Sequence, residues 1–374
     1  MREFIITEAK SEEAVLVGLI TKNQNEEQAR EYLDELDFLS STAGVRAVRR
    51  FTQRLDQPHS VTFVGKGKLE EIRLFVEENE IGIVIFDDEL SPSQQSNLER
   101  ILGEPTKVID RTALILDIFG QHATTHEGRL QVQLAQLQYV LPRLRGMWGH
   151  LVGEQTRGGI GSRFGQGESQ LEVDRRLVRD RISWLRRELR ELEGRRRVQS
   201  KARWDSGIYR VALVGYTNAG KSTLLNQLTG SEVYAKDELF ATLDPTTRRL
   251  ELEEGRKITL TDTVGFIQKL PTTLVESFKS TLAEVRAADL VLKVVDASDP
   301  NARKQLAAVD DVLADIESDK IPSVVVYNKC DLLDADERNV LSASHPDAVL
   351  LSALGSWGLR GLLYRIAQEA SRDD

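Results

Sequence analysis

Cysteine is almost missing from this 374-residue chain, where Cys330 stands alone. A single thiol excludes an internal disulfide and any cysteine-built metal centre. Its place inside the segment N-K-C-D reads as a small buried filler. Long apolar runs are missing too, and nothing approaches the roughly 20 residues that a membrane-spanning helix needs. The first twenty residues carry Glu3, Glu8, Glu12 and Glu13 and lack a basic start followed by an apolar stretch. No secretory leader is therefore expected, and a cytosolic protein is. Histidine is scarce, with five in all. His122 and His126, spaced i,i+4 on an expected helix, lack the internal glutamate of a zinc hydrolase, so no histidine is assigned to catalysis. What remains is ordinary globular composition, 40% hydrophobic and 29% charged, in a chain long enough for two or three domains at roughly 150 residues each.

The net charge of −9 argues against a protein that coats nucleic acid generally, but the charge is unevenly spread. From Leu141 to Arg210 there are 17 Lys+Arg against 9 Asp+Glu, a local +8, which leaves −17 on the rest. A basic island in an acidic chain points to a localised polyanion contact.

Three regions follow from patterning. Residues 1–125 alternate strand-like runs (14–20, 45–51, 61–64, 81–86) with helical ones (26–39 and around 69–76), the rhythm of βαβ units and a largely parallel sheet. Over residues 126–205, Leu130, Leu134, Leu137, Leu141 and Leu144, and then Val178, Ile182, Leu185, Leu189 and Leu192, step by fours and threes. Two long amphipathic helices are expected, joined as an antiparallel hairpin by a glycine-rich tip over residues 146–167. Residues 206–374 read as a regular α/β domain with strands at 209–214, 247–253, 258–261, 290–295, 323–327 and 348–351. The fold class expected is α/β throughout: an N-terminal parallel domain, a helical arm and a C-terminal P-loop domain.

The C-terminal region carries the chemistry. Gly215, Tyr216, Thr217, Asn218, Ala219, Gly220, Lys221 and Ser222, with Thr223 behind them, follow an apolar strand and open a helical run. That context makes the pattern a phosphate-binding loop. Its amides and helix N-terminus cradle phosphates, Lys221 is expected to reach the β and γ oxygens as a catalytic group, and Ser222 to ligate Mg²⁺. Asp262, Thr263, Val264 and Gly265 end a later strand. Asp262 is expected to hold Mg²⁺, and the Gly265 amide to sense the γ-phosphate. Between them, Phe240, Ala241, Thr242, Leu243 and Asp244 offer Thr242 for Mg²⁺ and γ-phosphate in a switching loop. Thr246 and Thr247 read as structural. Asn328, Lys329 and Asp331 follow the strand S-V-V-V-Y. One carboxylate accepts both N1–H and N2–H₂ of guanine, which adenine does not present, so Asp331 selects GTP. Ser352, Ala353 and Leu354 follow a further strand and are expected to meet the guanine O6, whereas an earlier Ser342-Ala343 pair falls in a helix or turn.

These five ordered segments resemble the G1 to G5 elements of a P-loop GTPase. A glutamine that orients the attacking water commonly follows D-x-x-G, and here the position is Phe266. A phenyl ring makes no such hydrogen bond, so slow intrinsic hydrolysis and an outside activator are expected. The similarity to potassium-activated GTPases implies K⁺ as one such aid, with Asn218 as a ligand. A group supplied in trans by a large partner is another. Arg248 and Arg249 read as a solvated strand face.

Three more stretches, G-K-G-K-L-E-E-I at 65–72, R-G-G-I-G-S-R-F-G-Q-G-E-S-Q-L-E-V-D-R-R at 157–176 and F-A-T-L-D-P-T-T-R at 240–248, resemble the HflX family of ribosome-associated GTPases over nearly the whole chain. Gln166 and Ser169 depart from the family's usual tip. The resemblance implies a factor that binds the large ribosomal subunit and its rRNA in the GTP form, splits stalled ribosomes and is stimulated by them; no DNA contact is expected. Arg157, Arg163, Arg175 and Arg176 are the expected rRNA contacts. A large-subunit assembly GTPase, and an RNA-remodelling ATPase working through the N-terminal domain, remain as alternatives. Lys66 and Lys68 in G-K-G-K read as a turn into a helix rather than a second nucleotide site, and Asp87, Asp88 and Glu89 as a polar strand end.

Overall fold

The computed structural model describes residues 12–22, 24–144, 164–204, 207–230, 239–253, 255–269 and 279–372. The chain forms two compact units. The first runs to Gln121 and resumes over Leu130–Leu189; the second takes His122–Arg129 and everything from Arg190 onward.

The first unit holds strands β1 (Glu12–Ile20), β2 (Val45–Arg54), β3 (Ile83–Phe86) and β4 (Lys107–Asp110) in the order β2-β1-β3-β4, all parallel. In β1 every residue from Ala14 to Leu19 is buried. Strands covered on both faces read as continuous apolar runs, which explains A-V-L-V-G-L and I-V-I-F. Helix α1 (Glu26–Thr42) starts at a capping box between Asn25 and Gln28 and buries Leu33, Leu36 and Leu39, each worth about 1.5–3 kcal/mol when fully covered. Helix α2 (Lys66–Glu78) follows Gly65, whose N–H donates to Gln53 Oε1 at 2.8 Å, and Lys68 pairs with Glu71 at 2.6 Å. Helix α3 (Pro92–Leu102) opens on Ser91, with Pro92 in its first turn. Helices α4 (Arg111–His122) and α5 (His126–Val140) follow β4.

Three expectations are corrected. Residues 61–64 form no strand: His59 and Phe63 exchange backbone hydrogen bonds at 2.8 and 2.9 Å across a tight turn, with Phe63 in left-handed conformation. The apolarity of the run comes from anchoring, since the Phe63 ring meets Phe86 edge-on at 5.4 Å while Val61 stays exposed. His122 and His126 do not share a helix, because α4 ends at the first and α5 begins at the second. The long helix α6 spans Phe164–Trp204, so Gly165 and Gly167 lie in it rather than in the connecting loop. A glycine costs a helix about 1 kcal/mol, a small debit against 41 consecutive residues. Of the arm, Leu130, Leu134, Ile182 and Leu185 are buried, and Arg181 donates to Gln133 at 2.9 Å. The tip from 146 to 163, with Arg157 and Arg163, lies outside the described residues. Among the described residues no helix is long and apolar enough to cross a membrane.

The second unit contains β5 (Tyr209–Gly215), α7 (Lys221–Thr229), β6 (Thr246–Glu251), β7 (Lys257–Asp262), α8 (Lys279–Arg286), β8 (Leu290–Asp296), α9 (Ala302–Asp315), β9 (Ser323–Asn328), α10 (Ala335–Ser344), β10 (Val349–Leu350) and α11 (Leu359–Ser371). The sheet order is β10-β9-β8-β5-β7-β6. Only β6 runs antiparallel to its neighbour, and its exposed Arg248 and Arg249 keep that edge charged. Val211, Leu213, Leu260, Leu292, Val294 and Val326 fill the core against Leu224, Leu225, Leu362 and Ile366.

Asp87, at the polar end of β3, is buried and paired. It continues β3 and contacts Arg111 at 2.7 Å, while Glu35 of α1 takes the other arm of the same guanidinium. Removing Asp87 leaves Arg111 neutralised by Glu35 alone and takes away one buried charge-assisted hydrogen bond. Asp87→Ala is therefore expected to destabilise the first unit by about 1.5–3 kcal/mol. Glu13→Ala, which breaks an exposed pair to Arg46, is expected to cost less than about 1 kcal/mol. Urea denaturation of the full chain compares the two.

Candidate functional site

The cleft forms where β5 and β7 reach their C-terminal ends, the usual ligand position of an open α/β sheet. It is lined by Thr217, Asn218, Gly220, Lys221, Ser222 and Thr223 from the loop and helix start, Phe240, Ala241 and Thr242 from the next loop, and Thr263 and Gly265 after β7. The two sequence-distant stretches and the phosphate-binding pattern therefore surround one space. Asn218 occupies the left-handed region, which a short polar side chain tolerates. Gly220 also has positive φ, and a Cβ there would lie 2.3 Å from Asn328 Nδ2, so only glycine fits.

Lys221 is buried. Its ammonium donates to the carbonyls of Tyr216 at 2.8 Å and Gly215 at 3.2 Å. Burial pulls its pKa down to about 8, opposed by the charge of Asp262. Asp262, also buried, is pushed above the usual carboxylate range by desolvation, against the pull of Lys221 and hydrogen bonds from Ser222 and Thr242. Ser222 Oγ lies 2.6 Å from Asp262 Oδ2 and 2.7 Å from Thr242 Oγ1. Asp262 Oδ1 is buried with no hydrogen-bond partner among the described residues. Three converging hard oxygens and one unused carboxylate lone-pair set form a donor group suited to Mg²⁺ and unsuited to a soft metal.

Phe266 is buried, with both backbone groups bound to the phosphate loop: Thr217 N–H donates to its carbonyl at 2.8 Å and its N–H to Gly215 O at 3.1 Å. Tyr216 adds a second tie, its hydroxyl accepting from the Gln268 N–H at 2.5 Å. Nothing in the motif pattern marks this bond.

The base-side residues divide. Asn328 is buried and spends its amide internally, donating to Ala219 O and accepting from Ala353 N–H, each at 2.9 Å. It ties the phosphate loop to the loop after β10. Lys329 pairs with Asp296 at 2.7 Å. Asp331 and Leu354 are exposed, and buried Ser352 accepts from Gly355 N–H at 2.9 Å. Ser342 and Ala343 lie inside α10. In the basic island, Arg143 and Arg210 are used inside the protein, by Leu90 O and Asp110 and by Asp289 respectively. Arg176 is exposed and Arg175 half-buried.

Also unmarked by any motif is the segment His122–Arg129, which reaches the Thr242 loop. His122 Nδ1 donates to Phe240 O at 2.9 Å, and Asp244 accepts from Thr124 and Thr125.

Asn328→Ala leaves the Ala353 N–H and Ala219 carbonyl without partners, each about 1–3 kcal/mol when buried. The expected result is a parallel loss of affinity for di- and triphosphate, read by calorimetry. A loss confined to one nucleotide would contradict the tethering role.

Three family descriptions match: GTP-binding GTPase N-terminal over residues 30–120, GTP-binding GTPase Middle Region over 122–203 and 50S ribosome-binding GTPase over 210–329. The GTPase HflX of Flavobacterium psychrophilum is 50% identical over 87% of this chain and 78% of its own length. That of Escherichia coli is 45% identical over 96% and 83%. The crystal structure of the SsGBP–GDP complex superposes with a TM-score of 0.51 at 25% identity, covering 96% of this chain and 99% of that one. With the cleft chemistry these likenesses make the protein a GTP hydrolase, and the chain belongs to the HflX family of GTPases.

Proposed function

We propose that the protein is a cytosolic ribosome-rescue factor that binds the large ribosomal subunit in its GTP form and separates stalled ribosomes, with hydrolysis stimulated by the ribosome. The observation that carries the nucleotide half of this reading is the meeting of Ser222, Thr242 and Asp262 beside the buried ammonium of Lys221.

In this reading Lys221 exchanges its two carbonyl partners for β and γ oxygens, and the amides of Thr242 and Gly265 meet the γ-phosphate. Ser222, Thr242 and Asp262 would hold Mg²⁺, which when bound would offset the negative charge of the phosphates. Asn218 serves as a ligand for K⁺. Asp331 accepts the paired donors of guanine, and the Ala353 amide, held by Asn328, meets O6. The contact between the Thr242 amide and the γ-phosphate is lost with that group, which makes the loop the nucleotide sensor.

Phe266 supports the dependence on a partner. It is 2% exposed and held at both backbone groups, so it offers the attacking water no orienting group. Binding to rRNA rests on the basic arm, where Arg157, Arg163, Arg175 and Arg176 act as phosphate contacts. The N-terminal unit, arm and GTPase region then divide placement from switching, with borders near residues 125 and 205.

Sucrose-gradient sedimentation tests the reading. Ribosomes incubated with the protein and GTP or a non-hydrolysable analogue are expected to shift toward subunits. ATP should give no shift, and neither should GTP with Asp331→Ala. Unshifted ribosomes with both guanine nucleotides overturn the proposal. Replacing the four arginines by alanine is expected to weaken subunit binding and flatten its salt dependence by about one unit of log–log slope for each phosphate that is no longer neutralised. An unchanged slope would remove the arm from the rRNA interface.

A further inference from the structure

The Thr242 loop is bracketed on both sides by a segment that lies over a hundred residues earlier in the chain. Upstream of Thr242, the Phe240 carbonyl accepts from His122 Nδ1 at 2.9 Å. Downstream, the Asp244 carboxylate accepts from Thr124 N at 3.0 Å, Thr124 Oγ1 at 2.9 Å and Thr125 N at 2.8 Å through Oδ2, and from the Thr125 hydroxyl through Oδ1. Both segments belong to the same compact unit. Four donors converging on one carboxylate form a strong charge-assisted set, and two of them are backbone amides just ahead of α5, where the helix dipole also favours a negative charge.

The donors are themselves held. Thr125 Oγ1 accepts from the Gly128 N–H at 2.9 Å, capping α5. The Arg129 guanidinium donates to the Thr124 carbonyl at 2.7 Å, which fixes the turn from the other side. Gly128 is buried directly under the carboxylate, and a Cβ there would lie 2.2 Å from Asp244 Oδ1. No side chain fits without moving Asp244.

We infer that Thr124, Thr125 and Gly128 are positioning residues for the GTPase reaction, holding Thr242 against Ser222 through Asp244. Thr242 lies two residues from the clamped carboxylate and two from the clamped carbonyl, and its hydroxyl is 2.7 Å from Ser222 Oγ. Ordering a loop costs conformational entropy. A loop already held in place spares the triphosphate that cost on binding, whereas a diphosphate has no γ-phosphate for Thr242 to meet and gains nothing. The clamp therefore sets the preference for triphosphate over diphosphate. This inference rests on the assignment of Thr242 to the γ-phosphate and Mg²⁺ made under the proposed function.

Calorimetric titration of the full chain with a non-hydrolysable GTP analogue and with GDP, both with Mg²⁺, tests it in Gly128→Ala, the double variant Thr124→Ala/Thr125→Ala, Thr125→Ser and Thr242→Ala. Gly128→Ala and the double variant are expected to lose about tenfold in analogue affinity, the equivalent of one strong interaction, and less than about twofold for GDP. Thr125→Ser keeps the hydroxyl and is expected to behave as the parent. Thr242→Ala should show the same selective loss. If Thr242→Ala loses analogue affinity while Gly128→Ala and the double variant do not, the positioning inference is wrong and the Thr242 assignment stands. Equal losses for GDP and analogue in the clamp variants also overturn it, since that is what a purely structural role predicts. If Thr242→Ala binds the analogue as the parent does, the assignment beneath the inference fails and takes the inference with it.

Discussion

A buried lysine at the start of α7 and a buried aspartate at the end of β7 are the constraint around which the GTPase unit is arranged. Burying either charge alone costs several kcal/mol, and among the described residues neither is bound by a close ion pair. Lys221 is instead solvated by two carbonyls of its own loop and Asp262 by hydroxyls. Such partners are weaker than a phosphate or a divalent cation, so the site is stable enough to form and still gains by exchanging them. The rigid strands β5, β7 and β8, buried almost throughout, keep the two charges from finding better partners by relaxing.

The N-terminal unit solves a related problem in the opposite way. Arg111 is buried at the end of a parallel sheet, but Asp87 and Glu35 close on it, and the carboxylates have no exchange to make. The Asp87-Asp88-Glu89 run is acidic because one of its members neutralises a core cation, while Glu89 meets Arg143. Similar composition at equivalent strand ends thus serves packing in one unit and ligand exchange in the other.

Much of the second unit was legible from sequence because its signals are local. A strand, a glycine turn and a helix start within a dozen residues define the phosphate loop, N-K-C-D follows a largely buried strand and S-A a half-buried one. The parallel strands of the first unit were legible for the same reason, as unbroken apolar runs. Residues 61–64 misled because an apolar turn anchored by Phe63 has the composition of a short strand. The start of α6 misled because Gly165 and Gly167 are poor helix formers that a long helix tolerates. Both ends of the Asn328 amide bind the protein's own backbone, which no spacing rule shows. The bond from Gln268 to the Tyr216 hydroxyl, and the contacts of His122, Thr124 and Thr125 with residues 240–244, stayed hidden because partners up to 120 residues apart share no motif and no period.

The passage of His122–Arg129 through the GTPase unit also bears on how the protein is made. On a growing chain this segment is synthesised well before Phe240 and Asp244 exist, so the donors of Thr124 and Thr125 face solvent until then, while the local cap to Gly128 needs no later residue. The first unit has a similar gap, since Leu130–Leu189 returns to it after that excursion. It has all of its residues by Leu189 and is free to form first, as domains generally do during synthesis; the 122–129 segment alone is held back for partners made later. A chain that ends before Asp244 leaves the Thr124 and Thr125 donors without the carboxylate they hold.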